Sequence, residues 1–239
     1  MDPAAALVLQ QSQCIAASAS AYGVHRADIE RELSMRIAGR GRVIHLADGS
    51  REIGVMRIPE SAMPALQQYG VTPQALLTDD CLSIQVGTYM MRLRDLDAAA
   101  NDLIDSASPI GASVAQCVRD AARRYRLSES IVWTYLKVEG GTTGRQSSNR
   151  NGTYDMGKMQ INDIHLWGAP HYLARRGITR ERLTNDTCLN IQVGTYLAAY
   201  EISKAPDFWT GVGNYHSKTP SKRAVYLRKF ARALSGDPR

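Results

Sequence analysis

Two carboxylates stand 16 residues apart in this 239-residue chain: Glu139, ending IVWTYLKVEGG (131–141), and Asp155, inside NGTYDMGKMQIND (151–163). Ser128 suits an N-cap and Gly140–Gly141 stop a helix, so the first segment predicts a helix over 128–139. At about 100° per residue, Glu139 falls within about 20° of Val132 and about 40° of Tyr135. It therefore ends the apolar stripe instead of facing solvent. Partial burial and the negative end of the helix dipole both disfavour the anion. A carboxylic acid that keeps its proton near neutrality is what a general acid needs. Taken alone, the segment favours a solvated Glu near a helix end. Asp155 follows across a Gly/Ser/Asn-rich loop. It reads as a second cleft carboxylate or as a loop residue bonding nearby backbone. The amides of Gln160 and Asn162 suit hydroxyl and acetamido groups, whereas Met159 and Ile161 read as core. GVGNYHSKTP (211–220) adds Tyr215, whose hydroxyl can orient Glu139, and His216, a polar group of open role. Tyr226, Leu227, Phe230 and Leu234 read as core packing.

The chain also contains its own control. Residues 14–60 align with residues 117–163 at a shift of 103, pairing Cys14 with Cys117, Gly54 with Gly157 and Met56 with Met159. Four extra residues move the shift to 107, and DDCLSIQVGTY (79–89) meets DTCLNIQVGTY (186–196). The pattern reads as a duplication. Arg36 faces Glu139 and Arg57 faces Gln160, so the first copy lacks the acid.

Cys14, Cys81, Cys117 and Cys188 permit three pairings, and the repeat selects Cys14–Cys81 and Cys117–Cys188, one bridge per copy. Bridges imply an oxidising compartment, so a periplasmic or exported protein is expected. The N-terminus MDPAAALVLQQ does not read as a signal peptide. No CxxC pair or His cluster points to zinc, and no metal or organic cofactor is expected. No apolar stretch approaches the roughly 20 residues of a membrane span.

The net charge of +6 is unevenly placed: 9 Lys/Arg against 12 Asp/Glu in residues 1–103, and 20 against 11 in 104–239. A basic second half suits an anionic partner. Nucleic acid is not expected, because no zinc-finger spacing, RNA-binding signature or isolated Lys/Arg block is present.

Apolar spacings of three and four predict a mostly helical chain. Helices are expected near 6–21, 26–37, 60–69, 73–77 and 79–104, with a loop or small hairpin over 40–58. The second copy predicts helices near 113–125, 128–139, 162–175, 186–204, 206–217 and 220–235. SASPIGAS (106–113) marks the boundary, giving a truncated copy over 1–108 and a complete one over 109–239.

Three ordered motifs carry a family resemblance: Glu139-Gly140-Gly141, Gly157-Lys158-Met159-Gln160-Ile161-Asn162 and Asn214-Tyr215-His216-Ser217. Residues 114–234 resemble the lysozyme-like lytic transglycosylases of the soluble-lytic-transglycosylase family. They look most like the small members that accompany conjugation, type III secretion and pilus machines. The resemblance implies an all-α, lysozyme-like fold around a glycan groove, here duplicated with a degenerate first copy. It implies peptidoglycan as partner, Glu139 as the acid, and Asp155, Met159, Gln160, Asn162, Tyr215 and His216 along the bound glycan. The reaction it implies cleaves the bond between N-acetylmuramic acid and N-acetylglucosamine and closes a 1,6-anhydro ring. Two residues depart from the pattern: Gly140 replaces a Ser, and Lys158 replaces an apolar residue and can reach toward an anionic substrate. Two alternatives stay open. Hen-type lysozymes also carry an Asp two residues before the matching glycine, which would make a hydrolytic muramidase of Glu139 and Asp155. A non-enzymatic wall-binding scaffold is the other, with Arg36 and Arg57 holding a carboxylate or the first copy merely packing.

Overall fold

A computed structural model describes residues 3–35, 42–101 and 112–236. The chain divides into two compact units, Met1–Arg94 and Asp95–Arg239. The expected boundary at 108/109 lies outside the described residues, as do Arg36 and the ends of the helices expected over 26–37 and 79–104. Both units are mainly helical with one small antiparallel sheet each, the expected all-α, lysozyme-like class.

The first unit runs through α1 (Pro3–Tyr22), α2 (Arg26–Met35), β1 (Val43–His45), β2 (Arg51–Ile53) and β3 (Ile58–Pro59). A 3-10 turn (Glu60–Ala62), α3 (Met63–Gln67) and α4 (Pro73–Thr78) follow, and α5 begins at Asp80 and ends at Asn101. Ile29, Ile58, Leu76 and Ile84 lie at the centre of its core.

The second unit runs through α6 (Val114–Tyr125), α7 (Glu129–Glu139), β4 (Gln146–Ser148), β5 (Tyr154–Met156) and β6 (Ile161–Asn162). There follow α8 (Ile164–Trp167), a 3-10 turn (Leu173–Arg176), α9 (Arg180–Asn185), α10 (Thr187–Lys204), α11 (Phe208–Asn214) and α12 (Pro220–Leu234). The helix expected over 162–175 is thus broken. Gly168 and Pro170 separate its two short pieces, since Pro has no N–H to give a continuing helix. The loop expected over 40–58 and its counterpart each hold a three-stranded sheet whose strands are two or three residues long. Such strands are too short to show an alternating pattern.

α10 is buried nearly all round, as a central helix must be. α6 lies along it, Tyr125 meeting Tyr196 at 6.0 Å between ring centroids. α7 packs on α12, where Tyr135 meets Phe230 edge-on at 4.9 Å.

Several positions that the sequence repeat aligns make like contacts, each within its own unit. Met56 seats its side chain where a Cβ on Gly87 would stand, 2.6 Å away, and Met159 does the same at Gly194. Ser83 Oγ accepts from the Met56 N–H at 3.2 Å, and Asn190 Oδ1 accepts from the Met159 N–H at 2.8 Å. Arg57 and Gln160 both take left-handed backbone, at φ 51° and 47°. Thr72 caps α4 and Thr179 caps α9. The bridges pair as expected, Cys14–Cys81 and Cys117–Cys188, with Cα atoms 5.3 and 5.1 Å apart. Cys117–Cys188 ties α6 to α10 across 71 residues. Replacing both cysteines with Ala is expected to cost about 2–4 kcal/mol through the freed unfolded chain. A denaturant midpoint unchanged from the parent's would show that the bridge constrains nothing.

Candidate active site

Glu139 is the last residue of α7, and Gly140 ends the helix in left-handed backbone at φ +63°. That conformation favours glycine, which accounts for Gly140 where the resembling family carries Ser. The Glu139 carboxyl is mostly buried but opens into a groove of about 630 Å³. Tyr226 Oη, from α12, donates to Glu139 Oε1 at 2.6 Å. Burial pushes the Glu139 carboxyl up to about 7. The Tyr226 hydrogen bond and Lys229 oppose this shift, and the Asp155 charge adds to it. Burial first, then the Glu139 charge, hold the Tyr226 hydroxyl far above its usual value, so it stays protonated and donates. The His216 ring stacks on Tyr226 at 4.7 Å, with the planes only 6° apart.

The facing wall comes from the small sheet. Asp155 on β5 stands in register with Ser147 on β4 and Asn162 on β6. Its carboxylate accepts from Asn149 Nδ2 at 3.0 Å and from Asn162 Nδ2 at 2.7 Å. Gln160 directs its Nε2 to the Gly157 carbonyl at 2.7 Å and accepts from Ser147 Oγ at 3.0 Å. Gln160 and Asn162 line the groove while their amides brace its wall. His165, from α8, also lines the groove. Burial pushes it down to about 4 and its edge-on neighbour His171 down to about 3, so both are neutral near pH 7.

Glu139, Asp155, Gln160, Asn162, Tyr215 and His216 therefore share one groove. Three expectations need correction. Met159 does not face glycan: its side chain is fully buried over Gly194, where the missing Cβ leaves it room. Tyr215 does not hold Glu139, because its hydroxyl donates to the Met159 carbonyl at 2.7 Å. Tyr226 takes that task, although helical periodicity reads it as core. Lys158 is half-buried and does not line the groove.

Sequence reasoning also passed over Arg150, His165 and Lys222 in the lining. Among the described residues no group of three or more His, Cys, Asp or Glu side chains is placed to hold a metal ion.

Gly141 fixes how closely α7 approaches the β5–β6 turn. A Cβ there would collide with the Gly157 carbonyl oxygen and lie 2.6 Å from Gln160 Nε2. Gly141→Ala is expected to destabilise the protein by about 1–3 kcal/mol through overpacking. Thermal unfolding measures this, and an unchanged Tm would mean that the turn yields freely.

No family model matches the chain. It is similar to invasion protein IagB of Salmonella typhimurium, 25% identical over 52% of this chain and 76% of that one. It is also similar to a peptidoglycan-binding-like protein of Escherichia coli O157:H7, 26% identical over 48% of this chain and 73% of that one. The X polypeptide of Escherichia coli is 32% identical over 50% of this chain and 69% of its own length. At that identity and coverage, the chain belongs to the family of the X polypeptide.

Proposed function

We propose that the unit Asp95–Arg239 is a peptidoglycan lytic transglycosylase. The observation that carries this reading is Glu139, a carboxyl pushed up to about 7 and held by Tyr226 at the side of an open polar groove. At neutral pH about half of such groups carry the proton a leaving oxygen needs, and the rest are ready to take one. Glu139 gives its proton to the glycosidic oxygen between N-acetylmuramic acid and N-acetylglucosamine as the C1–O bond breaks. The substrate's acetamido oxygen stabilises the developing cation at C1. The Glu139 carboxylate then removes the 6-hydroxyl proton as O6 bonds to C1. The anhydro ring closes, Glu139 regains its proton and no water is consumed.

The relatives named an invasion protein and a peptidoglycan-binding-like protein support a role at the cell wall. By the resemblance its three motifs carry to the small lytic transglycosylases, the cut opens the wall locally for a secretion, conjugation or pilus apparatus. The two disulfides support a periplasmic or exported location. Among the described residues no helix is long and apolar enough to cross a membrane.

The first unit is, on this reading, a truncated copy that cuts no glycan. Arg57 stands where Gln160 would, and its guanidinium donates to Glu52 at 2.5 Å. A guanidinium already paired within its own unit favours packing over capture of a ligand carboxylate.

One observation favours a second reading. Asp155 faces the groove with both oxygens held by amides, as a carboxylate that steadies an oxocarbenium ion in hydrolysis would be. Digestion of purified peptidoglycan, read by mass spectrometry, separates the two. Products one water lighter than reducing muropeptides are expected. Reducing ends throughout would make the protein a muramidase, and no products at all would remove the enzymatic reading.

A further inference from the structure

The groove carries more positive charge than its acid–base chemistry uses. Of the charged residues in its lining, Glu139 is about half neutral at pH 7, and the Asp155 carboxylate, whose two oxygens are held by neutral amides, is one charge against two cations. Arg150 and Lys222 remain. Arg150 lies in the turn between β4 and β5 that the Gly152 N–H to Asn149 carbonyl bond closes. Lys222 lies in the first turn of α12. One cation thus stands on the sheet wall and one on the helical wall. Both side chains are exposed, and neither has a hydrogen bond or ion pair among the described residues. Lys222 and Lys229 both act electrostatically on His216, whose ring stacks on the tyrosine that donates to the acid. A neutral glycan has no use for these charges.

We propose that Arg150 and Lys222 select peptide-bearing glycan, by pairing with carboxylates of the stem peptides that hang from a strand lying between them. This rests on the groove being a peptidoglycan site. It adds that the strand is recognised by its peptides as well as by its sugars. Exposed charge pairs contribute little each, so roughly threefold to fivefold in affinity per cation is expected at low ionic strength. Salt screens such pairs, so the preference fades as ionic strength rises.

The test is binding to Glu139→Gln protein, which removes turnover. Three tetrasaccharides serve as ligands: peptide-bearing glycan, the same glycan freed of peptide by an amidase, and neutral chitotetraose. The amidase product retains only the lactyl carboxylate on the ring, which separates peptide charge from sugar charge. Peptide-bearing glycan is expected to bind about tenfold more tightly than chitotetraose at low salt, with the stripped glycan closer to chitotetraose. Adding Arg150→Gln and Lys222→Gln should bring the ratio near one, and Arg150→Lys with native Lys222 should keep most of it. Equal binding of peptide-bearing and stripped glycan would overturn the proposal, as would a preference that survives the double substitution. If none of the three binds, the groove is not a glycan site, and the reading beneath the proposal fails with it.

Discussion

Glu139→Gln protein is expected to release about a thousandfold less product from peptidoglycan than the parent, while unfolding at a similar temperature. The glutamine keeps the shape of the side chain and can still accept from Tyr226, so the 2.6 Å contact need not be lost. It cannot give a proton to the leaving oxygen or take one from the 6-hydroxyl. A positioned acid–base group typically contributes about a hundredfold to ten-thousandfold. Here one group serves both steps, which favours the upper part of that range. Residual activity within about tenfold of the parent would assign the proton transfers to another group. Asp155 is the other carboxylate in the groove lining, so Asp155→Asn belongs beside it in the same digest. Removing Asp155 should leave 1,6-anhydro products as the outcome if the reaction is the transglycosylation proposed. Loss of all turnover in both variants would favour the hydrolytic pair.

How much of this site the sequence discloses depends on how local each determinant is. The helix that ends at Glu139 shows itself because it has a cap, a stop and an apolar stripe within a dozen residues, all of which the fold keeps. The repeat is visible for the same reason, and the cysteine pairing it selects is the one in the fold. The methionines and glycines recur in it too, but only the folded chain shows that Met56 packs over Gly87 and Met159 over Gly194. Tyr226 is different. It lies 87 residues from Glu139, and its place in the i, i+4 pattern with Phe230 announces a core residue. The ring is indeed buried, but its hydroxyl emerges at the acid, and periodicity does not report on one atom of a side chain. Tyr215 fails in the opposite way. Its position beside the site is legible, yet which acceptor its hydroxyl reaches depends on the backbone of a distant turn. The sheet walls were hidden because two- or three-residue strands are held by register and turn geometry, not by an alternating pattern.

The pH dependence separates Tyr226 as a positioning residue from Tyr226 as mere packing. A general acid must be protonated in the free enzyme, so kcat/KM for the parent should fall as pH rises through about 7, the value to which burial pushes Glu139. The Tyr226 hydrogen bond favours the anion and lowers that value. Tyr226→Phe removes the donor and leaves the ring to stack with His216, so the Glu139 pKa should rise. A hydrogen bond to a charged group contributes about 1.5–3 kcal/mol, which bounds the shift at about one to two pH units upward. The plateau should drop about tenfold, because a weaker acid transfers its proton less readily and the carboxyl has lost its tether. Asp155→Asn gives the opposite sign. The Asp155 charge raises the Glu139 pKa, so its neutralisation should move the alkaline limb downward. Two substitutions at one groove would then shift one limb in opposite directions. General damage to the fold lowers the plateau but has no reason to move the limb at all. If Tyr226→Phe lowered the plateau with the limb fixed, the hydroxyl would be acting on packing alone. If the limb moved down, the charged form of Glu139 would have to be stabilised by something other than Tyr226.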